Sequence, residues 1–182
     1  VYLDQNSWHC FGCRRSGSVF DLVMENKGID FWAAVELLAA RYNIPMPNLT
    51  PQEKEERIRE ASAQDFLERY VQKSHERLLK NTEALEYLYG RGVSDESIGK
   101  YRLGLGAKFA TGANITQAML DSGLINDSSW QPMAGRILFP VIQSGNVLNI
   151  SGRTIKNEKQ KYLSLIGRDL MPWNSHKMRQ ER

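Results

Sequence analysis

Apolar positions along the chain fall into two rhythms. Between residues 18 and 120 they recur every three or four positions, and between 136 and 151 they run almost unbroken. Ser18-Val-Phe-Asp21 has the form of a capping box, with Ser18 placed to accept from the amide three residues on, ahead of the apolar face Val19, Leu22 and Val23. Gly28 ends that helix, Asp30 caps a second, and Phe31, Ala34, Val35, Leu38 and Ala39 carry its apolar face up to Tyr42. Ile44 to Pro51 holds three prolines, which break any regular ladder and read as a linker. Thr50, Pro51 and Glu53 restart helix, and the following dozen residues are nearly all polar, as in a solvent-bridging helix.

A second apolar stripe, Phe66, Leu67, Tyr70, Val71, Leu78 and Leu79, predicts a second folded unit beginning near residue 60. Ala84 to Tyr89 reads as a short helix stopped at Gly90-Arg91-Gly92, and Ser94 caps another that runs to Tyr101. Leu103 to Gly106 suggests a tight strand-like element, and Thr111 to Leu120 a further helix. The β-rich runs 136–142 and 147–151 flank Gln143-Ser-Gly-Asn146, a hairpin signal.

With 182 residues and ordinary apolar content, the chain can hold one domain or a small one plus a medium one. No run approaches the roughly 18 apolar residues of a membrane span and no signal peptide is evident, so the cytoplasm is expected and no membrane partner. The net charge of +3 is unevenly placed: residues 1–49, 50–83 and 84–130 each sum to −1, and 131–182 sum to +6. A basic end is the footprint of a phosphate-rich partner or of a solvated lysine-rich face.

Both cysteines, Cys10 and Cys13, lie in SWHCFGCRR. Cys-x-x-Cys on a turn that Gly12 allows to bend supplies half of a tetrahedral zinc shell, and a redox pair is the rival reading. His9 is expected at the surface, because adjacent ligands seldom fit one tetrahedron. Trp8, Phe11, Arg14 and Arg15 combine stacking surfaces with positive charge, which suits single-stranded nucleic acid, while Phe11 reads equally as part of a small aromatic core beside the knuckle.

WHCFGCRRSGSVFDLVM resembles the second half of the Cys-His-Cys-Cys zinc ribbon at the N-terminus of bacterial DnaG-type DNA primases. EYLYGRGVSDESIGKYRLGLG resembles the start of that family's RNA polymerase domain, and GRILFPVIQSGNVLNISGRTIKNEKQKYL the segment before its TOPRIM fold. The resemblance implies an α+β architecture: half a zinc ribbon with helices (1–43), a Pro-rich and charged linker (44–60), and a mixed helical and antiparallel-β template-binding subdomain preceding TOPRIM (61–182). It implies Zn2+ on Cys10 and Cys13, with a further Cys and His upstream of Val1. The carboxylates that hold Mg2+ or Mn2+ are expected after Arg182, so no catalytic residue is assigned here and the piece alone is expected to be inactive.

The implied activity is synthesis of short RNA primers on single-stranded DNA from nucleoside triphosphates, with a replicative helicase as partner. Arg91, Arg153 and Lys161 match basic positions lining the family's groove, and Arg136 lies close by in GRILFP. KYLSLI stands where the family commonly has K-Y-L-N-S-P, a departure consistent with a phage or mobile-element relative. A non-catalytic zinc-ribbon nucleic-acid-binding protein and the primase part of a primase-helicase fusion are the alternatives.

Overall fold

The structure, a computed structural model, describes residues 7–12, 16–46, 48–110, 115–143 and 145–168. They fall into two compact units, 1–50 and 51–182.

In the first unit, strands β1 (Ser7–His9) and β2 (Ser16–Ser18) pair antiparallel, and Cys10, Phe11 and Gly12 lead out of β1. Helix α1 (Val19–Lys27) starts at the expected capping box: the Ser18 amide donates to Asp21 Oδ2 at 2.7 Å and the Asp21 amide to Ser18 Oγ at 3.4 Å. Gly28 ends it at φ +64, a left-handed conformation that suits a residue without Cβ. Helix α2 (Phe31–Arg41) is capped by Asp30, whose Oδ1 accepts from the Ala33 amide at 2.8 Å. Among the described residues of this unit only Ala34 and Ala39 are buried, and Phe11 is 81% exposed. Among the described residues the Phe11 ring meets that of His9, edge-on at 4.9 Å.

The second unit opens with α3 (Pro51–Leu78), so the charged residues 51–60 are the first turns of a 28-residue helix. Its buried face carries Ala63, Leu67, Tyr70, Val71, Ser74 and Leu78. Leu79, expected in that stripe, lies one residue past the helix and is exposed. Helices α4 (Thr82–Tyr89) and α5 (Asp95–Lys100) follow, capped by Asn81 and Ser94. Strand β3 (Gly104–Leu105) comes next, then α6 (Gln117–Asp121). The helix expected from Thr111 starts later: Thr116 is its cap, accepting from the Met119 amide, Ile115 is not helical, and 111–114 lie outside the described residues.

Strands β4 (Arg136–Gln143), β5 (Asn146–Thr154) and β6 (Tyr162–Ser164) complete an antiparallel sheet of order β3-β4-β5-β6. Pro140 is tolerated in β4 because β3 pairs only with Ile137 and Leu138, leaving no neighbour on that side for the missing donor.

Alternation along β4 sorts the core into two clusters. Leu138 joins Leu67, Tyr70, Val71, Leu124, Met133, Val147, Ile150 and Leu165. Ile137 points to the other face and joins Leu78, Ala84, Leu88, Ile98 and Leu103. Polar ties anchor α3 to the sheet: Glu68 Oε1 accepts from the Val147 amide at 2.5 Å, and Gln64 Nε2 donates to the Val147 carbonyl at 3.0 Å. Tyr70 donates to the Ala107 carbonyl at 3.1 Å, and burial pushes its hydroxyl up to about 12.

Candidate nucleic-acid interface

The strand register brings the basic residues of the second unit together. Arg153 sits opposite Tyr162 on β6 and opposite Ile137 on β4, so its side chain leaves the sheet on the α4/α5 face. Its guanidinium lies 5.0 Å from the Tyr162 ring centroid and 5.8 Å from that of Tyr87 on α4, and Nη1 donates to the Tyr162 hydroxyl. Arg153 Nε is buried and has no hydrogen-bond partner among the described residues.

Arg91 follows α4 in a turn where its amide donates to the Leu88 carbonyl at 3.0 Å, and its guanidinium lies 4.9 Å from the centroid of the same Tyr87 ring. Lys161, with Lys156 and Asn157, comes from the loop between β5 and β6. Tyr87, Arg91, Arg153, Thr154, Ile155, Lys156, Asn157 and Lys161 line one cavity of about 220 Å³. Cations fixed by aromatic rings around an open cavity can hold phosphate oxygens while leaving flat surfaces for bases.

Three of the residues singled out by the sequence, Arg91, Arg153 and Lys161, thus meet in one place. Arg136 does not join them. In register with Thr154, it points to the face opposite Arg153, and it is 7% exposed. Its guanidinium donates to the Gln160 and Lys161 carbonyls, each at 3.1 Å, and to Glu158 Oε2 at 2.6 Å, so the expected phosphate contact is replaced by internal bonds. The room for it is made by Gly152, where a Cβ would come within 3.2 Å of Arg136 Cδ and 2.9 Å of Met133 Sδ.

Tyr87, Tyr162, Lys156 and Asn157 were not singled out from the sequence. Tyr87 stands four residues before Arg91, a spacing at which side chains meet on a helix, and Tyr162 adjoins Lys161. Only the β5-β6 register, which the sequence pattern does not carry, sets Tyr162 beside Arg153.

In the first unit, Trp8 is half-buried and its indole N–H donates to the Ser18 carbonyl at 3.0 Å, a bond that ties the hairpin to the start of α1. Cys10 leaves β1 half-exposed, and the chain folds back over it closely enough that a Cβ on Gly12 would stand 3.9 Å from its Sγ. Cys13, Arg14 and Arg15 lie outside the described residues. Among those described, no group of three or more His, Cys, Asp or Glu side chains is placed to hold a metal. A thiol just after β1, with a second three positions on in the sequence, fits half of a zinc shell. No helix among the described residues is long and apolar enough to cross a membrane.

Comparison with known proteins finds a match for each unit of the chain. Residues 1–54 match the CHC2 zinc finger of DnaG zinc ribbons, whose name implies zinc binding, and residues 70–166 match the N-terminal domain of the DNA primase catalytic core. DNA primase of Escherichia coli K12 is 29% identical over 97% of this chain, and that of Thermotoga maritima 32% over 86%. The chain spans about a third of the length of these relatives: 33% of the first and 29% of the second.

Among solved structures, the zinc-binding and RNA polymerase domains of Aquifex aeolicus primase superpose with a TM-score of 0.54 at 22% identity, covering 94% of this chain and 44% of that one. A DnaG primase catalytic domain bound to single-stranded DNA gives 0.52 at 23% identity, covering 63% and 42%. These two likenesses concern the fold, and it is the match over residues 70–166, more than half of the chain, that identifies the lineage. The chain belongs to the DnaG-type DNA primase family.

Proposed function

We propose that this chain is the zinc-ribbon and template-binding part of an enzyme that copies single-stranded DNA into short RNA primers. The observation that carries this reading is the cavity lined by Tyr87, Arg91, Arg153, Lys156 and Lys161, with Tyr162 against the Arg153 guanidinium. A template strand laid there would set its phosphates against the cations and an unpaired base against the open face of Tyr162. The sandwiched Arg153 presents a planar fork of donors to a phosphate, which a lysine ammonium cannot reproduce.

Cys10 and Cys13, with a Cys and a His outside this sequence, would hold Zn2+ and keep the hairpin folded beside Trp8. Mg2+ or Mn2+ on carboxylates of a TOPRIM portion would supply charge stabilisation at the phosphate under attack. This chain's part is to fix the template so that the RNA primer end and the incoming nucleoside triphosphate meet it in register. A cytoplasmic setting and a replicative helicase as partner complete the reading.

The test is titration of the chain against a fluorescent single-stranded oligonucleotide over a range of salt. Arg153→Ala and Lys161→Ala are each expected to lower the slope of log affinity against log salt by about 0.7 to 1, and Arg153→Lys to weaken binding while keeping its charge. A slope unchanged in all three would remove the cavity from the interface.

A further inference from the structure

We propose that Arg136 is a positioning residue: it shapes the lysine-bearing loop 156–161 from beneath the sheet and does not touch nucleic acid itself. The proposal rests on the template-binding reading of the cavity and adds to it the part that holds the cavity's wall in place.

All six residues of the loop, Lys156 to Lys161, are exposed, so no apolar side chain of its own anchors it. Three of the six are lysines, whose like charges push the loop open. What opposes them is a small set of polar bonds. The Lys156 amide donates to Thr154 Oγ1 at 3.1 Å and the Glu158 amide to the Lys156 carbonyl at 3.0 Å. At the far end the Lys161 carbonyl accepts twice, from the Thr154 amide at 3.0 Å and from Arg136 Nη1 at 3.1 Å.

Arg136 also reaches Gln160 and Glu158, so one guanidinium grips three of the loop's last four residues. The grip is possible because Gly152 leaves open the space above β5 through which the Arg136 stem passes. Lys156 and Lys161, which line the cavity, are thereby held in register with Arg153. Glu158, the loop's one acidic residue, is committed to this bond.

That commitment separates two accounts of Glu158. If charge alone mattered, removing a carboxylate beside a phosphate site would tighten binding. If Arg136 positions the loop, removing it loosens the loop and weakens binding. Glu158→Ala and Glu158→Gln change the charge identically, but the glutamine keeps an oxygen that accepts from Arg136.

The experiment measures two quantities on the full chain: affinity for a fluorescent oligothymidylate, and hydrogen exchange of the 154–162 segment. Glu158→Ala is expected to weaken binding about tenfold and to speed exchange by a similar factor, with Glu158→Gln intermediate. Arg136→Lys, which keeps the charge and loses the fork, is expected to resemble Glu158→Ala. Equal or tighter binding in Glu158→Ala, or unchanged loop exchange in both Glu158→Ala and Arg136→Lys, overturns the proposal. Absence of oligothymidylate binding by the unsubstituted chain would refute the template-binding reading, and the proposal with it.

Discussion

The two units hold themselves together by different means. In residues 51–182, Leu67, Leu78, Leu88, Leu138 and Ile150 are almost wholly removed from water, and a long helix, two short ones and a sheet converge on them. In residues 1–50 the described buried side chains are two alanines, while Val19, Leu22, Phe31, Trp32 and Leu37 remain exposed. What that unit has instead is local: a capping box, an Asp cap, and two paired strands with a thiol just after the first. Among the described residues, one unit shows a core. For the other, the match to the CHC2 zinc finger implies zinc binding, and small metal-binding domains commonly take much of their folding free energy from the metal.

The sharpest way to break that contrast is to take the ligand away. In the protein carrying the whole ribbon, a chelator or Cys10→Ser is expected to abolish the fold of the first unit, as in zinc fingers where metal contributes apparent free energies of about 10–16 kcal/mol. Hydrogen exchange would show β1, β2 and α1 losing protection while α3 and β5 keep theirs. Retained protection in α1 after chelation would mean that a core, and not a metal, holds this unit. Acid should act like the chelator, because protons compete with zinc for thiolates.

Next in size is the reverse experiment. Leu67 is fully buried on α3, so Leu67→Ala should cost the second unit about 3 to 4 kcal/mol by urea denaturation. Leu22 on α1 is 41% exposed, and Leu22→Ala should cost less than about 1 kcal/mol. Comparable costs at the two sites would erase the distinction.

How much of this was legible in the sequence follows the same divide. Caps are local, so Ser18, Asp30 and Ser94 could be read directly, and so could the stop at Gly28 and the helix start at Pro51. Burial depends on the partner surface, and there the pattern misled: Leu79 continues the stripe but falls just beyond the last turn of α3 and is exposed. At the site, the family resemblance pointed to Arg91, Arg153 and Lys161. The same logic brought in Arg136, because a sequence shows charge and spacing but not which face of a strand a residue takes. One step of register separates Arg153, opposite Ile137, from Arg136, opposite Thr154, and that step puts one in the cavity and the other beneath the sheet.

The smallest predicted effect refines the contrast at the alkaline end of the pH range, where a buried phenol and not a thiolate is at stake. Tyr70 lies in the core of the second unit with its hydroxyl on the Ala107 carbonyl. At neutral pH, Tyr70→Phe loses that bond and should cost about 1 kcal/mol. Burial raises the folded-state pKa from 10 to about 12, so between those values the unfolded chain gives up its proton first and the folded one holds it. The contribution of this proton is therefore fully present below pH 10 and is lost as pH climbs toward 12. Phenylalanine has no proton to lose, so the stability curves of the two proteins should converge and then cross over that window, because a shift of two units outweighs the bond. Parallel curves from pH 9 to 12 would show that water reaches Tyr70, and the second unit would then be less a sealed core than its burial implies.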